Sequence, residues 1–310
     1  MDRLPVPCLA LQQPGPDSVK TILFNIFEGQ SIDCDIDGLT NNNSNFWVTP
    51  QGWILVRTSL STFLLSPQNP EMKIQLPNLP EDIRRTCTCL LSSANPTLPG
   101  CIVLLVEPNT TGIRYCRVGE DGEWVRHEYD IGTQLLDPAT NLHEKVPICP
   151  IAACRGKFYF NSESLADIGE LEFSPMPVFG SLELAGEFEV VNRAKVFLVE
   201  SKGELYMVSL VYGFSCDMID SETRVYKMDF SEQQWRRADD LGGRVFLLSS
   251  GYFGASCSAD QDRGLEEDCV YMFYPGDEAC SKISNVKDGG VNFMEVPAAR
   301  RALWVLPTDP

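Results

Sequence analysis

Apolar residues in this chain almost never fall into a helical period. They come in runs of four to eight, rich in Val, Ile, Phe and Tyr, broken by Gly, Pro, Asn and Asp. Runs of that length with those breakers read as β-strands joined by turns. The 21 prolines act the same way, because each removes a backbone donor and fixes φ, which discourages long helices. The stretch from Gln234 to Ser249 shows the pattern in compact form. An aromatic strand end at Trp235 runs into the acidic turn Asp239-Asp240, then Gly242-Gly243, and an apolar strand over 245–248 follows at once. A second apolar run, 269–274, closes on Pro275-Gly276-Asp277. A lone Trp, a glycine pair and short strands at regular intervals point to the blades of a β-propeller.

The runs group into sets of four. The first is 46–48, 53–57, 62–66 and 72–76; the second is 86–92, 101–107, 112–118 and 123–129, with a hairpin turn at Asp121-Gly122. The third is 148–154, 157–161, 168–173 and 180–184. The fourth is 187–192, 195–201, 204–212 and 223–230, ending at Trp235, and the fifth is 244–248, 254–258, 269–274 and 279–285. The sets recur roughly every 40–50 residues, the length of a propeller blade. Runs at 21–27, 30–35, 291–296 and 302–306 remain. Two strands from each end would make one more blade and remove the exposed edges of an open sheet. The expected fold is all-β: a single propeller of six four-stranded blades, or seven given the loose loops of the third and fourth sets, closed by strands from both termini. Residues 1–18 are expected to be irregular and 19–310 to form the propeller, with 19–36 pairing with about 290–310.

At 310 residues and 44% apolar content the chain has material for a sizeable core, and length alone does not divide it. A net charge of −18 argues against nucleic acid and against an anionic membrane surface. It favours solubility, with a basic partner as the functional reading. No apolar run approaches the roughly 18 residues of a membrane span. The first seven residues, with Pro5 and Pro7, lead into no signal-peptide core, and a transit peptide's Arg/Ser-rich pattern is missing. The 12 cysteines contain no C-x-x-C pair, and several (Cys101, Cys149, Cys154, Cys269) sit in apolar runs. They read as reduced, buried thiols of a cytoplasmic or nuclear protein. On that reading the sequons at Asn42 and Asn109 carry no meaning.

Across nearly the whole chain these pieces resemble one family. Gln51-Gly52-Trp53-Ile54-Leu55-Val56 is similar to the G-W-L-V opening strand of the plant DUF295 family of F-box-associated, kelch-like β-propellers. Phe63-Leu64-Leu65-Ser66-Pro67 and Ile74-Gln75-Leu76-Pro77-Asn78-Leu79 resemble its next strand pair. Gly156-Lys157-Phe158-Tyr159 and 198–205 resemble its middle blades; 225–243, 256–259 and 269–271 resemble its C-terminal stretch. The resemblance implies a non-catalytic propeller that binds a protein target through its loop face. In F-box members such a propeller chooses the substrate of a ubiquitin ligase, and some kelch-type members act in hormone signalling by binding a kinase. An F-box is helical, and Pro5, Pro7, Pro14, Gly15 and Pro16 leave no helix in residues 1–20. Binding to the Skp-type adaptor is therefore not expected of this chain, which would act as a monomeric target binder or as a decoy.

Catalytic constellations are weak. Asp33-Cys34-Asp35-Ile36-Asp37-Gly38 has the spacing of half a calcium loop, but the twelfth position is Ser44 rather than Glu and no helices flank it, so an acidic turn is the better reading. The only histidines, His127 and His143, join no Ser-His-Asp pattern, and G-x-S-x-G is absent. A propeller hydrolase acting on a sugar or ester would need carboxylates converging on a central channel, and 43 acidic residues make chance candidates plentiful. That hydrolase, and an organellar member of unknown role, are the alternatives. No catalytic residue, metal or cofactor is expected. Trp47, Trp53, Trp124, Trp235 and Trp304 fall where inter-blade packing needs them. The partner-binding candidates are Tyr252 and Phe253, in a Gly-flanked segment, together with Arg263, Arg236 and Arg237.

Overall fold

The computed structural model describes residues 7–14, 19–32, 39, 44–120, 122–137, 140–161, 167–185, 194–212, 221–259, 264–276 and 279–307. Every regular element among them is a strand. The chain opens with β1 (Cys8–Pro14), β2 (Val19–Asn25) and β3 (Gln30–Ile32). Blade one is β4 (Asn45–Val48), β5 (Ile54–Arg57), β6 (Thr62–Ser66) and β7 (Asn69–Leu76). Blade two is β8 (Thr88–Leu91), β9 (Ile102–Val106), β10 (Gly112–Arg117) and β11 (Val125–Glu128). A separate hairpin, β12 (Thr133–Asp137) and β13 (Leu142–Lys145), follows. Blade three is β14 (Ile151–Cys154), β15 (Lys157–Asn161), β16 (Asp167–Phe173) and β17 (Pro177–Glu183). Blade four is β18 (Ala194–Ser201), β19 (Glu204–Val211), β20 (Glu222–Asp229) and β21 (Gln234–Arg237). Blade five holds β22 (Arg244–Ser249), β23 (Phe253–Ser258), β24 (Cys269–Tyr274), β25 (Cys280–Asn285) and β26 (Val291–Glu295), and β27 (Arg301–Val305) ends the chain.

Six sheets stand around one axis, as expected, and the innermost strands of neighbouring blades lie side by side. Blades one to four are antiparallel meanders whose inner strands are largely buried on both faces, which is why 88–91, 102–106 and 151–154 read as unbroken apolar runs. The core is correspondingly not one mass. It lies in clusters between blades: Trp53, Leu64 and Leu91 join blades one and two, and Leu104, Ile151 and Phe160 join two and three. Tryptophans stitch the same seams. Trp47 Nε1 donates to Arg84 O at 3.1 Å, Trp53 Nε1 to Ala94 O at 3.0 Å and Trp304 Nε1 to Leu248 O at 2.9 Å, so each buries its ring while its one polar atom stays satisfied. Trp124 does the same toward Pro77 O at 2.9 Å. Trp235 differs: it is only half-buried, at the margin of the cluster between blades three and four.

Closure departs from the expectation in one strand. Residues 1–18 are not irregular throughout, because Cys8–Pro14 is a strand. It is β1, not 19–36, that pairs with β27, with Leu9 opposite Trp304 and Leu11 opposite Ala302. The closing blade has the order β27-β1-β2-β3, three N-terminal strands and one C-terminal strand, while β26 belongs to the rim of blade five. The physical reason is burial. Cys8, Leu9, Ala10 and Leu11 are fully buried, whereas Val291 and Phe293 of β26 are about half exposed, as an outer strand should be. Pro5, Pro7 and Pro14 mask that short apolar run in the sequence. The run 187–192 lies outside the described residues, and the fourth strand of blade four is β21.

Blade five departs too. Its order is β23-β22-β24-β25-β26, with β22 and β24 parallel. The β22–β23 hairpin places β23 innermost and inserts β22 behind it. Gly254 permits this: a Cβ there would lie 2.7 Å from Leu198 O and 3.0 Å from Val199 Cγ2 of β18. Two tests follow from the seams. Removing residues 1–14 should leave β2 and β27 as unpaired apolar edges, and size-exclusion chromatography should show aggregation. A monomer of unchanged Tm would contradict the closing role of β1. Leu11→Ala, at a site with no exposure, should lower stability by about 2–5 kcal/mol in denaturant titration.

Candidate functional site

The inner strands β4, β8, β14, β18 and β27 all begin at one end of the ring, here called the upper face. At that face the hairpin between β22 and β23 reaches across from blade five to blade two. Thr88 Oγ1 donates to Gly251 O at 2.9 Å. The next residue, Tyr252, has a φ of 61° following 77° at Gly251, an uncommon backbone conformation for an aromatic residue. Its ring is held by blade four: the Lys195 ammonium lies 5.5 Å from the ring centroid and the Phe197 ring 6.3 Å away. Lys195 also sits 5.2 Å over Phe197, and burial pulls its pKa down. Burial, then the neighbouring Cys149, pushes Tyr252 up. The turn at the upper mouth is thus tied to blades two and four.

The thiols around it are quiet. Burial raises Cys149 to about 12, with a Thr88 hydrogen bond opposing, and raises Cys87 to about 11. Cys116 and Cys154 rise to about 12 for the same reason. None of the ten described cysteines is in a disulfide. Among the described residues no group of three or more His, Cys, Asp or Glu could hold a metal ion. The calcium-like segment 33–38 and Arg263 lie outside the described residues. His127, on β11, is half-buried with its ring stacked on Phe179 at 6.1 Å, and His143 is exposed on β13. Neither joins an acid–base pair in the described hydrogen bonds.

The predicted partner residues do not converge. Tyr252 is half-buried at the upper mouth. Phe253 is 5% exposed and packs into the cluster beneath the closing blade, so it presents no surface; strand alternation turns it away from its neighbour. Arg236 and Arg237 lie on the opposite, lower face, exposed on β21. There they line a cleft of about 620 Å³ with Arg155, Lys227, Glu204 and Asp240. Sequence reading found two of its cations and missed the rest, because Arg155 comes from the β14–β15 turn and Glu204 from the β18–β19 turn. Arg155 donates to Glu204 Oε2 at 2.8 Å and Gly203 O at 2.7 Å, and its guanidinium lies 4.6 Å over the Phe230 ring. Arg236 donates to Asp229 Oδ2 at 2.9 Å. Arg237 stacks 5.5 Å over the Tyr226 ring. Hydrogen bonds, the Ser231 hydroxyl foremost, hold the half-buried Asp229 at about 2. The turn Asp239–Gly243 that borders the cleft is pinned by Asp268 Oδ1, which accepts from the Leu241 and Gly243 amides. Asp240 closes its own turn onto the Gly242 amide, as its sequence context suggested.

A family model, the KIB1-4 beta-propeller, matches residues 23–293. No curated protein matches the chain. Among solved structures, the dihydro-heme d1 dehydrogenase NirN in complex with DHE aligns over 98% of this chain and 76% of its own, at 7% identity and a TM-score of 0.42. A Lactobacillus plantarum protein aligns over 96% and 98%, at 9% identity and 0.37. An α-L-arabinofuranosidase from Lactobacillus brevis aligns over 82% and 89%, at 9% identity and 0.28. Likenesses at this level carry no argument about activity.

Two measurements follow from the upper mouth. Thr88→Val keeps shape but strands Gly251 O, so stability should fall by about 1–3 kcal/mol and hydrogen exchange should accelerate at 249–253. Unchanged exchange there would show that the hairpin does not depend on Thr88. The thiols give a pH dependence. Folded thiols near 11 to 12 keep protons that an unfolded chain releases near 9.0. Stability is therefore complete below pH 9 and should fall as pH rises through the folded values. Native thiol labelling at pH 8 should be slow and become rapid only on unfolding.

Proposed function

The chain belongs to the KIB1-4 beta-propeller family, and from that premise we propose that it is a non-catalytic protein-recognition module. The observation that carries this reading is the lower-face cleft. Blades three and four bring Arg155, Arg236 and Arg237 together with Glu204, Asp229 and Asp240, each cation positioned by a carboxylate or a ring. Fixed charges of both signs around an open cleft suit the polar, specific surface of a protein partner. The upper mouth supports the same reading, since there the Gly251–Tyr252 turn bridges from blade five to blades two and four.

The finer assignment follows the sequence resemblance. We read the propeller as the target-binding half of a plant F-box-associated, kelch-like protein, working in cytoplasm or nucleus, with contact to the Skp-type adaptor left to a helical F-box rather than to these blades. The test is quantitative capture. Partners retained by the wild-type chain are identified by mass spectrometry, and the best is titrated against Arg236→Glu/Arg237→Glu. The expected result is a loss of at least about tenfold in affinity at unchanged Tm, the size of a typical interface charge effect. Equal affinity of the double variant would overturn the cleft as the binding surface. Turnover of glycoside or ester substrates, abolished by a channel substitution, would replace the recognition reading with the hydrolase.

A further inference from the structure

Arg301 opens β27 and pairs with Gln12 of β1 across the closing ladder. Residues opposite one another in an antiparallel pair share a face. Trp304, three residues on, faces blade five through Leu248 O, so Arg301 and Gln12 face the other way, toward blade one. Gln12 is 7% exposed. Arg301 is half-buried, and its Nη1 has neither surface nor a hydrogen-bond partner. Buried guanidinium donors are ordinarily satisfied, and a buried charge without a partner is costly.

Among the described residues no carboxylate is paired with it. The charged neighbour that acts on Arg301 is Arg85, a second cation, whose Nε is held by Asn45 Oδ1 of β4. Cys87 lies beside Arg301 as a neutral thiol. Glu107 acts on Cys87 and reaches Arg84 at 4.0 Å. A chain of net charge −18 thus gathers cations at the seam between its last and first blades. Burial and Arg85 both lower the Arg301 pKa, to about 10, which leaves it charged at neutral pH.

We propose that this seam is a binding site for a phosphate-type oxyanion, gripped by the Arg301 guanidinium with Arg85 and the Gln12 amide beside it. Two forked cations and an amide present several N–H donors to one tetrahedral group. A dianion neutralises both guanidiniums where one carboxylate neutralises a single one. The three residues come from β27, from β1 and from the linker before β8, so the site exists only in the closed ring. Ligand binding therefore stabilises closure by mass action. The inference does not rest on the recognition reading; failure of the phosphate test leaves the cleft test untouched, and the converse holds.

The experiment is thermal unfolding at constant ionic strength with inorganic phosphate, phenyl phosphate, a Gly-phosphoserine-Gly peptide or acetate, supported by titration calorimetry. Wild-type Tm should rise saturably with the three phosphates and much less with acetate. Arg301→Met should fold with a basal Tm no lower than wild type, since an unpaired buried charge is gone, and should lose the response. Arg301→Lys, which keeps charge without the fork, should bind about tenfold more weakly. Tighter binding of the peptide than of phenyl phosphate identifies a modified protein as the source, and equal binding identifies a free phosphate ester; both support the site. No phosphate response in the wild type, an equal response to acetate, or an undiminished response in both Arg301 variants overturns it.

Discussion

The ladder between β1 and β27 is the interaction on which the rest of this structure depends. It joins residues 8–12 to 301–305, so the ring is held shut by two ends of one chain. Its strands lie in the largest apolar cluster of the molecule, which gathers Leu9, Leu11 and Trp304 with Phe46 and Val48 of blade one and Val245 and Leu247 of blade five. Burying each such side chain contributes about 1.5–3 kcal/mol, and none of that is realised in an open ring. Closure by one C-terminal and three N-terminal strands also removes the edges that a row of stacked sheets would leave bare.

Blade-to-blade contact elsewhere uses side chains rather than ladders. Tryptophan N–H groups reach carbonyls of the next segment, and glycine at 254 lets β23 touch the backbone of β18. Rigid blades joined this way hold their turns at fixed positions on two faces. On the upper face the turn at Gly251–Tyr252 is drawn inward and tied to Thr88 and Lys195. On the lower face Arg155 ties the turns of blades three and four together at the edge of the charged cleft. The two faces therefore offer different chemistry, one filled by an aromatic turn and the other open and lined by ion pairs.

Most blades were legible in the sequence because a doubly buried strand is a continuous apolar run and its turns need Gly, Pro or Asx. Residues 102–106 and 269–274 are examples. The errors fall where that signal is weak or misleading. β1 is short and flanked by prolines, and β12 and β13 form an exposed hairpin with no apolar face to announce it. β22 and β24 pair in parallel, a neighbour relation that no local pattern encodes. The candidate site was legible only in part. Arg236 and Arg237 stood out as a pair beside Trp235, whereas Arg155 and Glu204 are ordinary turn residues until folding brings them within 2.8 Å of each other.

By itself the sequence determined that this protein is built of short strands, that its glycines and prolines divide them into sets of four, and that the sets must close into a ring. Those properties follow from burial and backbone stereochemistry, which act over a few neighbouring residues. Tertiary structure alone decided which strand closes the ring, that Phe253 is buried while Tyr252 is held at the mouth, and that Arg301 and Arg85, from opposite parts of the chain, act on each other at the closing seam. Each of these depends on residues brought together from distant parts of the chain, and register and blade packing set such distances where residue type does not.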